Sequence, residues 1–286
     1  MSLPSLDVPD LLRRYNLRPD QSLGQNFLVD AKALQQVVDT AELSPNEDVL
    51  EIGPGLGSLT RLLAMQARRV IAVELDSRFI PVLHEVLADL NNVKIIEGDI
   101  LQIDPVATLT DNTDQITYQV VANIPYYITS AVIRHLLEAR VKPETVTLTI
   151  QQEVAERICA APGKMSLLAL SVQVYGAPQI AAYIPAGAFY PPPKVASAVV
   201  HVDIFPNPAI PPDLLRLFFR LAKAGFSQKR KNLRNAISGG MAWKPKQAEE
   251  LLEAAGIDPR RRAETLSLSE WQCLAENVRE LTPQPE

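Results

Sequence analysis

Only two cysteines, Cys159 and Cys273, and three histidines occur in the chain, and no CxxC pair or Cys/His spacing of the kind that grips zinc is present. Neither a disulfide framework nor a metal is expected. His84, His135 and His201 each sit among apolar neighbours and read as packing or surface residues, so nothing points to a hydrolase. Long apolar runs are missing too. Charges break every such stretch within about a dozen residues, short of the roughly 20 that a membrane-crossing helix needs. The first 18 residues lack the apolar core and small-residue cleavage site of a secretory signal and are too acidic for a transit peptide. A cytoplasmic protein with no membrane partner is the expectation. The phosphate-binding pattern GxxxxGK[ST] is also absent, which excludes a P-loop nucleotidase.

What is present is ordinary globular material: 286 residues, 47% hydrophobic and 21% charged, enough for one large or two modest domains with real cores. The net charge of −5 argues mildly against a polyanionic partner. Its distribution matters more than the sum. The window 220–234 holds Arg220, Lys223, Lys229, Arg230, Lys231 and Arg234 with no acid among them. A local basic face can coexist with an acidic whole.

Short segments rich in branched residues at 49–52, 70–73, 93–96 and 119–122 read as strands, with helical spacing between them at 58–67, 77–90 and 130–139, the last behind Thr129 as candidate cap. Asp30 is placed to cap an earlier helix on Leu34, Val37, Val38 and Ala41. Alternating strand and helix predicts an α/β, doubly wound, mainly parallel sheet, extended by strands at 145–150 and 198–204. After Phe205 the texture changes. Pro206, Pro208, Pro211 and Pro212 lead into helical periodicity at 214–224, 246–255 and 269–278, so a domain boundary is expected there, with a small all-α C-terminal module beyond it.

Glu51-Ile52-Gly53-Pro54-Gly55-Leu56-Gly57 follows the first of those strands and opens a helix, where Gly53 and Gly55 permit positive φ and close approach of a ligand. A dinucleotide fingerprint would need a glycine at 58, where Ser58 stands, so NAD and FAD are disfavoured. Glu74 ends the second strand, 23 residues after Glu51, suited to accept both hydroxyls of a ribose. Asp99, after the third, is suited to an adenine amino group. Each acid alone is equally an ordinary surface acid, but three acids and a glycine turn at successive strand ends gather where ligands of such sheets bind. S-adenosyl-L-methionine suits the set: it offers adenine and ribose and has no pyrophosphate, and the loop has no Lys or Arg.

The fourth strand ends in Asn123-Ile124-Pro125-Tyr126. Taken alone, these residues read as a turn closing a strand. Their chemistry also fits an exocyclic amine. The nitrogen of adenine N6 is a poor nucleophile because its lone pair is delocalised, and two acceptors aimed at its hydrogens, the Asn123 side-chain oxygen and the Ile124 carbonyl, favour a pyramidal nitrogen without any general base. Pro125 biases Ile124 away from helical angles, and Tyr126 can stack on an extruded base.

Asn-Ile-Pro-Tyr resembles the (D/N)-(P/I/L)-P-(Y/F) motif of amino-methyltransferases. Leu23-Gly24-Gln25-Asn26-Phe27-Leu28, the glycine loop, and Phe189-Tyr190-Pro191-Pro192-Pro193-Lys194-Val195, in this order, resemble the small-subunit rRNA adenine dimethyltransferases of the KsgA type over roughly residues 10–275. The resemblance implies a Rossmann-like class I methyltransferase domain over 1–205, its first 45 residues capping the cofactor, and a helical rRNA-contacting domain over 206–286. It implies that Asn26 and Leu28 close over S-adenosyl-L-methionine, with Gln25 beside them and Gly53, Gly55, Glu74, Asp99 and Asn123 completing the pocket. Phe189 is implied to face Tyr126 across the target base, though from the residues alone it is equally a core residue beside a polyproline turn. The similar basic stretch 226–234 implies that Lys229, Arg230, Lys231 and Arg234 contact RNA, and by composition Lys223 of the acid-free window and Arg260-Arg261-Arg262 are expected to add to that face. The implied substrate is a pair of adjacent adenosines in a hairpin loop near the 3′ end of 16S rRNA, in a 30S-type particle on which the protein works as a monomer. Two other readings stand beside it: an erythromycin-resistance-type methylase of 23S rRNA, and a non-catalytic rRNA-binding assembly factor on the same fold.

Overall fold

In a computed structural model of the protein, the residues described are 6–20, 23–109, 117–228 and 230–281. The chain divides into two compact units, residues 1–155 with 178–204 and residues 156–177 with 205–286. The stretch 156–177, placed in the first domain by sequence, thus belongs by its contacts to the second.

In chain order the first unit begins with α1 (Val8–Arg14), β1 (Phe27–Leu28), α2 (Ala31–Ala41), β2 (Asp48–Ile52), α3 (Ser58–Ala64), β3 (Arg69–Glu74), α4 (Ile80–Val86) and β4 (Val93–Glu97). There follow α5 (Pro105–Leu109), β5 (Tyr118–Asn123), α6 (Thr129–Glu138), β6 (Thr145–Gln151) and α7 (Gln152–Ile158). Then come α8 (Leu167–Gln173), β7 (Gly176–Ile184), β8 (Phe189–Tyr190) and β9 (Ser197–Ile204), and finally α9 (Pro212–Phe226), α10 (Leu233–Met241), α11 (Pro245–Ala254) and α12 (Leu268–Leu281).

Seven strands form one sheet in the order β4-β3-β2-β5-β6-β9-β7. The first five in that order run parallel and β9 runs antiparallel to β6. The strand order reverses at β2, whose neighbours are β3 on one side and β5 on the other, and a ligand crevice is expected at such a switch point. β2 is buried at all five positions, as a central strand covered on both faces must be. One core packs Leu34, Val37 and Val38 of α2 and Leu59 and Leu63 of α3 with Val49, Val70, Val121 and Val199 of the sheet.

The local signals explain most boundaries. Asp30 accepts the Ala33 N–H at 2.8 Å and caps α2. Thr129 does not cap α6: the chain enters through a 3-10 turn at Tyr126–Ile128, and Thr129 is the first helical residue, its hydroxyl donating to the Tyr126 carbonyl at 3.1 Å. The expected helix over 77–90 is a 3-10 turn, Ser77–Phe79, followed by the shorter α4.

The second unit is helical. Its core gathers Phe218 and Leu221 of α9, Ile237 of α10, Leu252 of α11 and Trp271 and Leu274 of α12, joined by Leu170 of α8. α10 carries Gly239-Gly240, poor helix formers, and the cost is offset by packing: a Cβ at Gly240 would lie 2.5 Å from that of Ala224, so glycine lets α10 approach α9. Among the described residues no helix is long and apolar enough to cross a membrane.

Candidate active site

The cleft of the first unit is built at the carboxyl ends of β2, β3, β4 and β5, and its lining includes Asn26, Leu28, Gly53, Glu74, Asp99, Asn123 and Phe189. β2 ends at Ile52, and Gly53, Gly55 and Gly57 turn the chain into α3 with φ of +69°, +58° and +84°. The first two glycines act differently. A Cβ at Gly53 would meet nothing within 4 Å, so its backbone faces open cleft, whereas one at Gly55 would stand 2.9 Å from the Phe27 ring. Gly55 therefore makes room for Phe27, which packs edge-on against Phe79 with centroids 5.5 Å apart.

Glu74, only 6% exposed, is held without a cation. One oxygen accepts the Gly55 N–H at 2.9 Å and the other the Asp76 N–H at 2.8 Å. Burial raises its carboxyl above the usual range, more than the backbone donors lower it. Leu75 is a further backbone donor to this carboxylate, which still keeps acceptor capacity for a ligand hydroxyl. Glu51, 1% exposed on the neighbouring strand, is pushed up to about 8 by burial, with the Glu74 charge adding to the effect. Its Oε2 has no hydrogen-bond partner among the described residues. Asp99, half-buried, uses Oδ1 to accept the Leu101 N–H at 2.9 Å.

Asn123, the last residue of β5, donates from Nδ2 to the Asn26 carbonyl at 3.1 Å. That bond fixes which end of the amide is which: the nitrogen is engaged, and the oxygen is left as the acceptor. Asn26 in turn donates to the Gly24 carbonyl at 3.0 Å. The two-stranded ribbon β1–β8 pairs Leu28 with Phe189 and Phe27 with Tyr190, bringing residues distant in sequence to one wall. Phe189 is 3% exposed and also lines the cleft, so the core and site readings of it coexist. Ile124 is buried, and it lines the same cleft as Pro125 and Tyr126. Tyr126 is half-buried, with its hydroxyl 2.8 Å from Ser197 Oγ.

Gln25 stands in the cleft wall with both ends of its amide engaged within the protein. Although it lines the cleft, its oxygen accepts the Asp20 N–H and its nitrogen donates to Asp76 Oδ2, both at 2.8 Å. It ties the segment before β1 to the end of β3. Asp76, which sequence reading missed, also receives the Arg78 guanidinium, and Arg78 holds its carboxyl below the usual range. The one signal for it was a second acid two residues after Glu74. Ser197 carried no signal at all. His135 faces the Ile103 carbonyl and His201 lies between Thr147 and Asp203, and neither lines the cleft.

In the second unit Lys223, Arg230 and Lys231 are exposed, and none has an ion-pair partner among the described residues. Lys229 lies outside the described residues. Arg234 is half-buried, with one end on Glu249 at 3.4 Å. The arginine triplet is paired throughout: Arg260 with Asp258 at 2.9 Å, Arg261 with Glu270, and Arg262 with Glu264 at 3.9 Å. On α9, Arg216 and Arg220 share the face of Lys223 at helical spacing and are exposed; Arg216 lies outside the acid-free window and was missed.

A doubly wound sheet with an antiparallel β9, a glycine turn at the switch point and an Asn-Ile-Pro-Tyr edge is the architecture of a methyltransferase. The solved 23S rRNA methyltransferase ErmE is similar, with a TM-score of 0.72 and 29% identity over 88% of this chain and 99% of that one. The fold is shared with a dimethyladenosine transferase from Plasmodium falciparum, at a TM-score of 0.70 and 24% identity over 89% and 98% of the two chains. The family described as Ribosomal RNA adenine dimethylase matches residues 16–278, and the chain belongs to it. It is 44% identical to a Ribosomal RNA small subunit methyltransferase A of Dehalococcoides mccartyi over 96% of this chain and 94% of that protein. Its counterpart in Alkaliphilus metalliredigens is 40% identical over 94% of each. The reaction is dimethylation of adenine in small-subunit ribosomal RNA.

Proposed function

We propose that the cleft holds S-adenosyl-L-methionine and an extruded adenine side by side, and that the substrate is two adjacent adenosines in a hairpin loop near the 3′ end of 16S rRNA, within a 30S-type particle. The residues fit the cofactor: open space at Gly53 admits a chain passing over the turn, the remaining acceptor capacity of Glu74 suits ribose hydroxyls, and Asp99 offers an acceptor to an adenine amine. Asn26 and Leu28 close the near side. When bound, the cofactor supplies an electrophilic methyl group on a sulfonium.

The chain's own part is to present the amine. Asn123 Oδ1 and the Ile124 carbonyl accept the N6 hydrogens, localising the lone pair on nitrogen, while Tyr126 and Phe189 hold the ring. No side chain has to remove a proton before transfer, since the cationic product amine gives one up to water. After one transfer the amine turns to present its remaining hydrogen. The observation that carries this reading is the bond from Asn123 Nδ2 to the Asn26 carbonyl, which leaves oxygen as the free end of the amide.

The helical unit supplies the RNA grip through Lys223, Arg230 and Lys231, extended along α9 by Arg220 and Arg216, and the protein works as a monomer. The test is incubation of unmethylated 30S and 50S particles with labelled cofactor, followed by mass spectrometry of rRNA fragments. Two dimethyladenosines in one 3′ fragment of 16S rRNA are expected. Label confined to 50S would overturn the choice of substrate.

A further inference from the structure

Tyr126 has one polar atom, and where that atom goes decides what the ring can do. In this structure the hydroxyl meets Ser197 Oγ, 2.8 Å away. We propose that Ser197 is a positioning residue for methyl transfer: by holding the Tyr126 hydroxyl it fixes the ring as a flat platform for the target adenine.

Independent observations support this. Ser197 is fully buried and opens β9, opposite Gln151 of β6, and the preceding Ala196 carbonyl accepts the Gln152 N–H at 3.0 Å, so its backbone is anchored in the sheet. Tyr126, by contrast, sits on a 3-10 turn and is only half-buried, so without Ser197 its ring would be free to rotate about χ1 and χ2. Its main chain is already pinned, since Thr129 donates to the Tyr126 carbonyl at 3.1 Å, which leaves the ring as the one loose part. Phe189 lies eight residues before Ser197, across the stiff run Pro191-Pro192-Pro193. The two aromatic walls of the base site are therefore referenced to one segment, Phe189 by the chain and Tyr126 by the hydrogen bond. Either hydroxyl of this pair can be the donor, and in both cases the phenol oxygen is tied to Ser197, which matches a role by stacking. Burial, moreover, holds the phenol above its ordinary range, so it stays neutral.

This inference rests on the reading of Tyr126 as the base platform, and a double-mutant cycle separates the two. Single-turnover methylation of 30S particles at saturating cofactor is measured for Ser197→Ala, Tyr126→Phe, both together, and Tyr126→Ala, with cofactor affinity and Tm alongside. Ser197→Ala and Tyr126→Phe should each slow transfer by about five- to tenfold, the worth of one hydrogen bond, and the double variant should be no slower than the slower single. Cofactor affinity should stay at the wild-type value, and Tm should fall by no more than a few degrees, leaving every variant fully folded at the assay temperature. Full rate in Ser197→Ala, losses that multiply in the double variant, or a loss of folded protein at the assay temperature or of cofactor affinity that accounts for the lost rate would each overturn the positioning role. Full rate in Tyr126→Ala would instead remove the platform itself.

Discussion

Glu51 and Glu74 in the first unit, and Arg230 and Lys231 in the second, are the informative ionisable groups of this protein, and they are arranged in opposite ways. The two acids are buried, 1% and 6% exposed, and no cation is paired with either among the described residues. The two cations are exposed and face no acid among the described residues. Near each pair lie charges that are cancelled: Asp76 by Arg78 in the first unit, and Arg260, Arg261 and Arg262 by Asp258, Glu270 and Glu264 in the second. An uncancelled charge is expensive when buried and idle when exposed unless a ligand meets it. On the proposed function, the buried acids meet a ligand that brings hydroxyls, and the exposed cations meet a polyanion.

The largest effect expected from this contrast lies at Glu74. Glu74→Gln removes the anionic acceptor while keeping the shape, and should weaken cofactor binding by about ten- to a hundredfold, the range for hydrogen bonds to a charged group. Calorimetric titration checks it, with Asp76→Asn, whose carboxylate is already engaged by Arg78, as the milder comparison. Equal losses at the two positions would break the distinction between free and cancelled acids.

Next in size is the salt dependence of particle binding. Replacing both Arg230 and Lys231 by Gln should lower the slope of log K against log salt by about 1 to 2, close to one counterion for each lost phosphate contact. Arg261→Gln should leave the slope unchanged, because its guanidinium is held by Glu270 and Thr265. A filter-binding series at several salt concentrations reads both.

The smallest effect concerns stability. The Glu51 carboxyl is pushed up to about 8 in the folded protein against 4.5 for the free group. The unfolded chain therefore loses this proton first, and without cofactor the fold should lose stability as pH rises from about 4.5 to about 8. Glu51→Gln should flatten that decline and raise Tm at pH 8, by roughly 2 to 4 °C for each kcal/mol recovered. A melting series from pH 5 to pH 9 on both proteins decides it; identical slopes would show that Glu51 ionises freely.

The contrast also marks what sequence could reveal. Strands β2, β3, β4, β5, β6 and β9 were legible because branched apolar residues cluster there. β7 was not: Pro178 and its small residues hide a strand that the sheet tolerates because it lies at the edge. α10 was masked by Gly239-Gly240, whose value lies in contact with a helix elsewhere in the chain. At the site, the glycine turn and the acids at strand ends could be read because their spacing is local. The pairing of Leu28 with Phe189, the bond from Asn123 to Asn26 and the latch from Gln25 to Asp76 could not, since each joins segments far apart. Arg260-Arg261-Arg262 looked like part of an RNA face for the same reason, as composition counts charges and only the fold shows which ones are already paired.

The claim at the centre is that the Asn123 oxygen, oriented by the Asn26 carbonyl, activates the adenine amine. Single-turnover methyl transfer by Asn123→Ala on 30S particles, at saturating cofactor and with both binding constants measured, tests it most directly. A loss of about a hundred- to a thousandfold in rate is predicted, the usual cost of removing one transition-state hydrogen-bonding group, with particle affinity within about twofold of wild type. Transfer at the wild-type rate would contradict the account.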